Sequence, residues 1–207
     1  MSPRKRSTTT RLVLAGLGAI SALAAASAGS STAGAAGDAV GSRGDSEDIR
    51  AVDFGDIAQP GSACREGLRF TAPSQIPVQG GQSRLLDLGR LTQLNVDSDV
   101  AYGDVNGDGV DDAVVHVVCT FGASGGEDSV HAWTLGNNGP TLLASIDEAP
   151  EALAGGDFAP RVEDVSVTDG QVTVTWSHHA EGDPNCCPSQ ETAVSYSFAG
   201  NKLQPTG

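Results

Sequence analysis

The sequence predicts a mainly β fold, with a single compact antiparallel β domain over residues 61–207 that disulfide bonds staple together. Three observations lead to this prediction. Short runs rich in valine and threonine are separated by turn signals such as Asp169-Gly170, which is the pattern of strands joined by hairpins. Helical periodicity is lacking, apart from one turn's worth of residues within 148–158. Four cysteines follow an export signal, which indicates disulfide bonds.

The first 35 residues have the organisation of a secretory signal peptide. Basic residues precede an apolar run over residues 12–26, and small residues suited to cleavage follow near Ala28 and Ala35. The apolar run is short for a membrane span and is interrupted by glycine and serine, which favours cleavage over anchoring. The first cysteine is Cys64, so we expect no lipid anchor. These features predict a secreted, extracellular protein with no membrane attachment after cleavage.

A flexible leader is predicted over residues 36–60, which are rich in glycine, alanine, serine and aspartate. Four of the 12 basic residues and none of the 26 acidic residues precede Asp38, so the mature chain carries 8 basic and 26 acidic residues, a net charge of about −18. Such a surface disfavours nucleic acid and anionic membranes as partners. It favours divalent cations instead.

Short β segments dominate the rest of the chain. The predicted strands cover residues 68–72, 84–88, 100–103, 113–121, 130–135, 141–146, 162–167, 172–177 and 192–198, with a last short piece after Gly200-Asn201. Residues 172–177 alternate apolar and polar side chains, so that strand is expected to bury one face. The run over residues 114–118 is apolar on both faces. It is therefore predicted to be the central strand.

An acidic loop between two predicted strands has the spacing of a cation site. Its polar residues are Asp104, Asn106, Asp108 and Asp112, with Gly109 directly after the third. A hard cation such as Ca²⁺ takes about six to eight oxygen ligands, so a short loop must converge several of them while glycine permits the sharp turn. The first nine positions match an EF-hand loop, but the twelfth is Val115 instead of a glutamate and a strand follows instead of a helix. An EF-hand is therefore not predicted.

The spacing D-x-N-x-D-G-x-x-D, closed by a strand, resembles the calcium hairpins of FG-GAP and integrin α-subunit repeats. That resemblance implies one structural Ca²⁺, held by the side chains of Asp104, Asn106, Asp108 and Asp112 and by the carbonyl of Val110. The alternative is an acidic turn without a metal, because asparagine, aspartate and glycine are also ordinary turn residues. In such a turn the carboxylates would repel one another, and no lysine or arginine lies between Arg90 and Arg161 to offset them.

The four cysteines allow three disulfide connectivities. Cys186 and Cys187 are adjacent, so their Cα atoms lie about 3.8 Å apart, below the usual disulfide range of ~4.4–6.8 Å. We therefore expect Cys64 and Cys119 each to pair with one member of the adjacent pair. A bond between Cys64 and Cys119, with a vicinal ring at Cys186–Cys187, remains open as the alternative.

Catalytic motifs are weak. Residues 122–126 (GASGG) match the G-x-S-x-G nucleophile elbow, but an elbow must open a helix within a parallel α/β sheet, whereas another strand is predicted here. A hydrolase that uses Ser124 is therefore only an alternative reading. His178-His179 and Cys186-Cys187 carry zinc-ligand chemistry, but the thiols of an exported protein are expected to be oxidised. The protein is predicted not to be an enzyme.

Four stretches resemble a family of exported actinobacterial β-domain proteins of unassigned function. They are VDFGDIAQPGSAC, GDVNGDGVDDAVVHVVC, GDPNCCPS and SYSFAGNKL, and the similarity covers about residues 50–204. It implies an extracellular module of the kind found in secreted proteins, lipoproteins and outer segments of membrane proteins, and it implies no activity. We therefore expect a secreted module that binds one Ca²⁺ and presents a surface to an extracellular or cell-wall partner.

Overall fold

The computed structural model describes residues 48–68, 73–87, 89–122, 125–153 and 158–206. The predicted signal peptide and Ser124 lie outside these residues, as does nearly all of the strand predicted over residues 68–72. Within the described residues the fold is mainly β, as predicted. The strands pair in antiparallel fashion, and the helical turns among these residues are of the 3-10 type.

Eleven strands fall within the described part of the chain. In chain order they are β1 (Gln59–Pro60), β2 (Gln75–Ile76), β3 (Gln82–Asp87), β4 (Arg90–Gly103), β5 (Asp112–Phe121), β6 (Gly125–Gly136), β7 (Gly139–Ile146), β8 (Arg161–Thr168), β9 (Gln171–His178), β10 (Gln190–Ala199) and β11 (Lys202–Pro205). The 3-10 helices are Ile49–Ala51, Phe54–Asp56, Gly61–Cys64 and Glu151–Leu153. The last of these is the single helical turn predicted between residues 148 and 158.

These strands form three antiparallel sheets. β3 to β7 pair in sequence order as a five-stranded sheet, β8 to β11 do the same as a four-stranded sheet, and β1 pairs with β2. Tight turns produce this up-and-down order. Asp169 at φ 51° and Asn201 at φ 64° adopt the left-handed conformation that two-residue hairpin turns require.

β5 lies in the middle of the five-stranded sheet and is buried on both faces, as predicted for residues 114–118. Alternate residues of a strand face opposite sides, and here they enter two different hydrophobic cores. Val115 and Val117 pack with the N-terminal part of the chain, whereas Val114 packs with the four-stranded sheet. The five-stranded sheet is therefore the middle one of three layers.

The core between the two large sheets contains the alternating strand that the sequence singled out. Val172, Val174 and Trp176 of β9 are all fully buried and pack with Val114 and Val130 from the other sheet. The intervening threonines of β9 face away from this core, since strand side chains alternate. The prediction that this strand buries one face is confirmed.

The N-terminal cover, defined as residues 48–68 with 73–78, forms the layer on the other face of the five-stranded sheet. Ile49 and Phe54 are only 2% and 3% exposed and share a core with Trp133 of β6. Residues 36–47 of the predicted flexible leader lie outside the described residues, and residues 48–60 differ from that prediction. Residues 48–60 pack against the sheet because their large apolar side chains gain a surface to bury, a gain that local composition did not indicate.

β4 is much longer than predicted. The sequence indicated only residues 100–103, whereas the strand extends over Arg90–Gly103 with an irregularity in its pairing to β5 between Val96 and Val100. Thr92 and Leu94 are fully buried while the residues between and beyond them are more exposed. A polar threonine on the buried face obscured the alternation in the sequence. Its hydroxyl donates a hydrogen bond to the carbonyl of Gly67 at 3.0 Å.

The disulfide connectivity differs from the favoured prediction. Cys64 bonds to Cys119, with Cα atoms 5.3 Å apart, and Cys186 bonds to its neighbour Cys187, with Cα atoms 3.7 Å apart. Cys64 and Cys119 are both fully buried and join the N-terminal cover to β5, whereas the adjacent pair lies exposed in the loop after β9. Because the fold buries one pair of cysteines and exposes the other, each pair bonds internally. The vicinal bond forms although its Cα atoms lie closer together than the usual disulfide range.

Removal of the buried disulfide is expected to destabilise the protein much more than removal of the vicinal one. The double variant Cys64→Ala/Cys119→Ala should lose about 2–4 kcal/mol of unfolding free energy, because this bond closes a 55-residue separation. Cys186→Ala/Cys187→Ala should lose less than about 1 kcal/mol of unfolding free energy, because a bond between adjacent residues closes almost no loop in the unfolded chain. Urea unfolding of both variants measures this, and peptide mapping without reductant checks the pairing. If both variants lost the same unfolding free energy, the inference that the Cys64–Cys119 bond holds the N-terminal cover on β5 would be contradicted.

Candidate functional site

The predicted cation loop, residues 104–111, connects β4 to β5. Gly107 and Gly109 lie at φ +79° and +86°, in the left-handed region that residues with a Cβ rarely adopt. They allow eight residues to reverse the chain between two long strands. The loop thus has the compact turn that the D-x-N-x-D-G spacing predicted.

Asp104 organises the first half of the loop. Its Oδ1 accepts the backbone N–H groups of Gly107 at 2.7 Å and Asp108 at 3.0 Å, and its Oδ2 accepts that of Gly109 at 2.8 Å. A carboxylate offers about four acceptor positions, so three hydrogen bonds leave it with capacity for another ligand. The backbone of the loop is wrapped around this one side chain.

The half-buried Asn106 and the exposed Asp108 are joined by hydrogen bonds. The Asn106 amide donates to Asp108 Oδ2 at 3.0 Å, and its own Oδ1 accepts the N–H of Asp108 at 2.8 Å. Asp108 Oδ1 accepts the N–H of Val110 at 2.8 Å. Three of the four side chains predicted as ligands are thus joined within one hydrogen-bonded turn.

Asp112 differs from these residues because it is fully buried at the start of β5. Its Oδ2 accepts the backbone N–H groups of Val105 at 3.0 Å and Asn106 at 3.1 Å. Its Oδ1 is buried without a hydrogen-bond partner among the described residues. Burial raises the pKa of Asp112, and Thr134 and the two backbone amides offset this only in part. One oxygen of this carboxylate is therefore buried with no hydrogen-bond partner among the described residues.

Asp111, the remaining acidic residue, is neutralised from outside the loop. Arg50 of the N-terminal cover forms an ion pair with it at 2.7 Å and places its guanidinium 4.6 Å from the centre of the Tyr102 ring. The sequence could not reveal this partner, which lies 61 positions away. Asp111 thus has a cationic partner, whereas the four residues predicted as side-chain ligands form no ion pair with any residue that the structure describes.

The loop satisfies some requirements of a calcium site but not all. Its candidate ligand atoms are all oxygens, as Ca²⁺ prefers, and one of them, Asp112 Oδ1, has no hydrogen-bond partner within the described part of the chain. Across the described residues, however, no three His, Cys, Asp or Glu side chains come together closely enough to hold a metal ion. The side chains thus fit calcium in chemical type, while the carboxylates of Asp104, Asp108 and Asp112 do not converge on one point.

A buried polar network that the sequence did not predict joins the N-terminal cover to β6 and β7. His131, predicted only as a strand residue, is fully buried, and its Nδ1 lies 2.9 Å from Gln59 Oε1. Its Nε2 lies 3.8 Å from Asp147 Oδ1, a separation too long for a full hydrogen bond. The hydroxyl groups of Ser145 and Ser62 donate to Asp147 at 2.9 and 3.3 Å. Burial alone would raise the pKa of Asp147, but these neighbours lower it overall.

The other candidate residues are scattered. His178 lies 3.0 Å from the hydroxyl of Thr192, and the His179 ring lies 5.0 Å from that of Phe158. These histidines do not form a zinc site with Cys186 and Cys187, because the two cysteines are bonded to each other. The predicted nucleophile Ser124 is outside the described residues.

A family model described as LppP/LprE lipoprotein matches residues 157–201. The match covers β8, β9 and β10 and does not reach the predicted calcium loop. It supports an exported, lipoprotein-like protein at the cell surface or beyond. No curated protein and no solved structure matches the chain. None of the helices described has the length and apolar character needed to span a membrane.

The lowered pKa of Asp147 predicts a loss of stability in acid. The folded state favours the ionised carboxylate, so its contribution is present above the ordinary aspartate pKa of 3.8 and disappears as the pH falls through the lower folded value. Asp147→Asn should therefore cost about 1 kcal/mol at neutral pH and progressively less below pH 3.8.

Urea unfolding from neutral to strongly acidic pH measures this effect. The exposed Asp164 of β8 provides the matched control, and Asp164→Asn should change stability little at any pH. A deficit in Asp147→Asn that stayed constant down to the lowest pH would contradict a role for the ionised form.

Proposed function

We propose that the chain is an exported, non-enzymatic binding module whose loop between β4 and β5 holds one structural Ca²⁺. The observation that supports this most directly is Asp112 Oδ1, a buried carboxylate oxygen with no partner among the described residues. An unpaired buried acceptor costs about 1–3 kcal/mol. A bound cation would remove that cost and balance the charge of the neighbouring carboxylates.

The residues proposed to hold the ion are Asp104, Asn106, Asp108 and Asp112, with the carbonyl of Val110. When bound, Ca²⁺ would supply positive charge and fix the turn that precedes the central strand. The backbone hydrogen bonds of Asp104 already order the loop, so binding would need only a local rearrangement of side chains. The rest of the module is proposed to present a surface to an extracellular or cell-wall partner.

Calcium binding is tested by calorimetric titration of the chelator-treated protein. We expect one saturable site and a higher melting temperature in Ca²⁺, because a ligand that binds only the folded state stabilises it. Asp108→Asn should abolish or strongly weaken both effects, since a carboxylate is replaced by a neutral amide of the same shape.

Asp111→Asn is the matched control. It removes the same charge from the same loop, but Asp111 pairs with Arg50 and is not a proposed ligand. It should retain calcium binding. If the wild-type protein showed neither a heat of Ca²⁺ binding nor a shift in melting temperature, the loop would be an acidic turn without a metal.

The effect of Asp112→Asn on the stability of the protein is expected to change sign when Ca²⁺ is added. In chelator it should be neutral or stabilising by on the order of 1 kcal/mol, because it removes a buried charge whose pKa is raised by burial. In Ca²⁺ it should be less stable than the wild-type protein, since the metal no longer stabilises the variant. Thermal melts under both conditions measure the reversal. Destabilisation of equal size with and without Ca²⁺ would mean that Asp112 acts only through its backbone hydrogen bonds.

A further inference from the structure

The loop between β9 and β10 places a disulfide bond at the wall of a cavity. Cys186 lines this cavity, which has a volume of about 550 Å³, whereas Cys187 is not among the described residues that line it. Both cysteines are exposed, in contrast to the fully buried Cys64 and Cys119. A cavity of this size accommodates a small ligand. The vicinal disulfide is therefore the one that a dissolved molecule can reach, and Cys186 is the half of it that lies at the cavity.

Hydrogen bonds hold the loop that carries this disulfide. Asp183 Oδ2 accepts the backbone N–H groups of Ala180 at 2.7 Å and Ser189 at 2.9 Å, so it ties the two ends of the loop together. Within the loop, the N–H of Cys187 donates to the carbonyl of Pro184 at 2.9 Å. None of these hydrogen bonds uses a sulfur atom. The loop therefore keeps its own support when the bond between the two sulfurs is broken.

The two disulfides differ in what they do for the fold. Cys64–Cys119 joins the N-terminal cover to β5 across a sequence separation of 55 residues. Cys186–Cys187 joins neighbours, and a bond of this kind removes almost no freedom from the unfolded chain. It links no two layers of the structure. The vicinal bond can therefore be broken and formed again while the protein stays folded, which a reactive disulfide requires.

The chemistry of the cavity suits a thiolate. In the chain as a whole 26 acidic residues outnumber 12 basic ones, yet no carboxylate is present among the described residues that line this cavity. Arg161 does line it. One of its nitrogens pairs with Asp128 at 3.1 Å, but its side chain remains 42% exposed. Because the attacking and the leaving sulfur are both anions during disulfide exchange, a cation on the same wall favours the reaction.

We propose that Cys186–Cys187 is a reactive disulfide, which exchanges with small thiols that enter this cavity and attack Cys186. The reaction is reversible and stoichiometric, and it converts the exported module between a disulfide form and a dithiol form. It goes beyond the binding function proposed above. It depends neither on Ca²⁺ nor on the partner of that module.

The exchange takes place in two steps. A thiolate RS⁻ attacks Cys186 Sγ, so that an RS–Sγ bond forms, the Sγ–Sγ bond breaks and Cys187 Sγ leaves as a thiolate. A second RS⁻ then attacks the sulfur of the attached group, which forms RSSR and releases Cys186 Sγ as a thiolate. The two protons that the thiols lose are taken up by the two cysteine sulfurs. Two electrons pass from the thiols to the protein disulfide, and RSSR reverses both steps.

The single-cysteine variants Cys187→Ser and Cys186→Ser test which sulfur the cavity serves. Each leaves one exposed thiol in the same loop, and each should fold, because the hydrogen bonds of the loop do not use the sulfurs. Both are treated with hydroxyethyl disulfide in chelator at one pH, which is the reverse of the second step, and the mixed disulfide is followed by mass spectrometry. Cys186 should react about tenfold faster than Cys187, since exchange rates depend on access to the sulfur. Equal rates would mean that exposure alone governs the reaction, and would overturn the role of the cavity.

Ala159, an exposed residue that lines the cavity, provides a way to close it. Ala159→Trp, added to Cys187→Ser, should slow the reaction of Cys186 about tenfold, because the indole occupies space that the reagent needs. The same substitution added to Cys186→Ser is the matched control and should leave the reaction of Cys187 unchanged. Equal slowing of both thiols, or of neither, would contradict attack through the cavity.

A cysteine of a partner protein is the other source of a thiol. A folded protein that carries 2-mercaptoethanol as a mixed disulfide delivers the same group as hydroxyethyl disulfide, but it is too large for the cavity. It should therefore react with Cys187→Ser more slowly than hydroxyethyl disulfide does. Faster reaction would assign the exchange to a partner protein and overturn the proposal for small thiols.

The wild-type protein tests whether the two forms interconvert in the folded state. Excess dithiothreitol in chelator should reduce Cys186–Cys187 while Cys64–Cys119 stays intact, and alkylation followed by peptide mapping identifies the thiols that are freed. The melting temperature should fall by no more than about 2–4 °C. Removal of dithiothreitol and addition of hydroxyethyl disulfide should restore the bond. Reduction of both disulfides together, with unfolding, would make the vicinal bond structural and overturn the proposal.

Discussion

Burial of β5 on both faces is the constraint on which the architecture depends. β5 contains four valines among its ten residues, and exposing either of its faces to water would cost the hydrophobic free energy that their burial provides. One face is covered by the four-stranded sheet through Val114 and its neighbours. The other is covered by a segment with almost no regular strand structure, which the Cys64–Cys119 bond fixes to β5 itself. The disulfide thus joins this layer covalently to the strand that it covers.

Features that depend on local pattern could be predicted from the sequence. The hairpin turns at Asp169 and Asn201, the alternation of β9 and the two-faced burial of β5 are each encoded within about ten residues. The cover around Ile49 and Phe54 could not be predicted in this way, because it has little regular structure and its burial depends on a sheet formed later in the chain. The same reason explains the disulfide pairing. It depends on the contact between the N-terminal cover and β5, and not on the positions of the cysteines along the sequence.

The candidate sites show the same division. The turn from Asp104 to Asp112 was visible because the spacing of its polar residues is short and regular, and the structure places its polar side chains in one hydrogen-bonded loop. The buried network of Gln59, His131 and Asp147 was not visible, since its residues come from the N-terminal cover, from β6 and from the segment after β7. Its contacts arise only after folding and have no signature in a single stretch of sequence.

The positions of the cysteines along the chain have a consequence for biogenesis. A chain that is exported from its N-terminus meets oxidants in sequence order, so Cys64 emerges first and Cys119 is the next thiol that it encounters. Cys186 and Cys187 follow together, already within reach of each other. Translocation order therefore favours the observed pairing over the two crossed ones, and thiol–disulfide exchange, which is slow without a catalyst, is not needed to correct it. The linear order of the chain can thus protect the fold during export, before the layers have closed around β5.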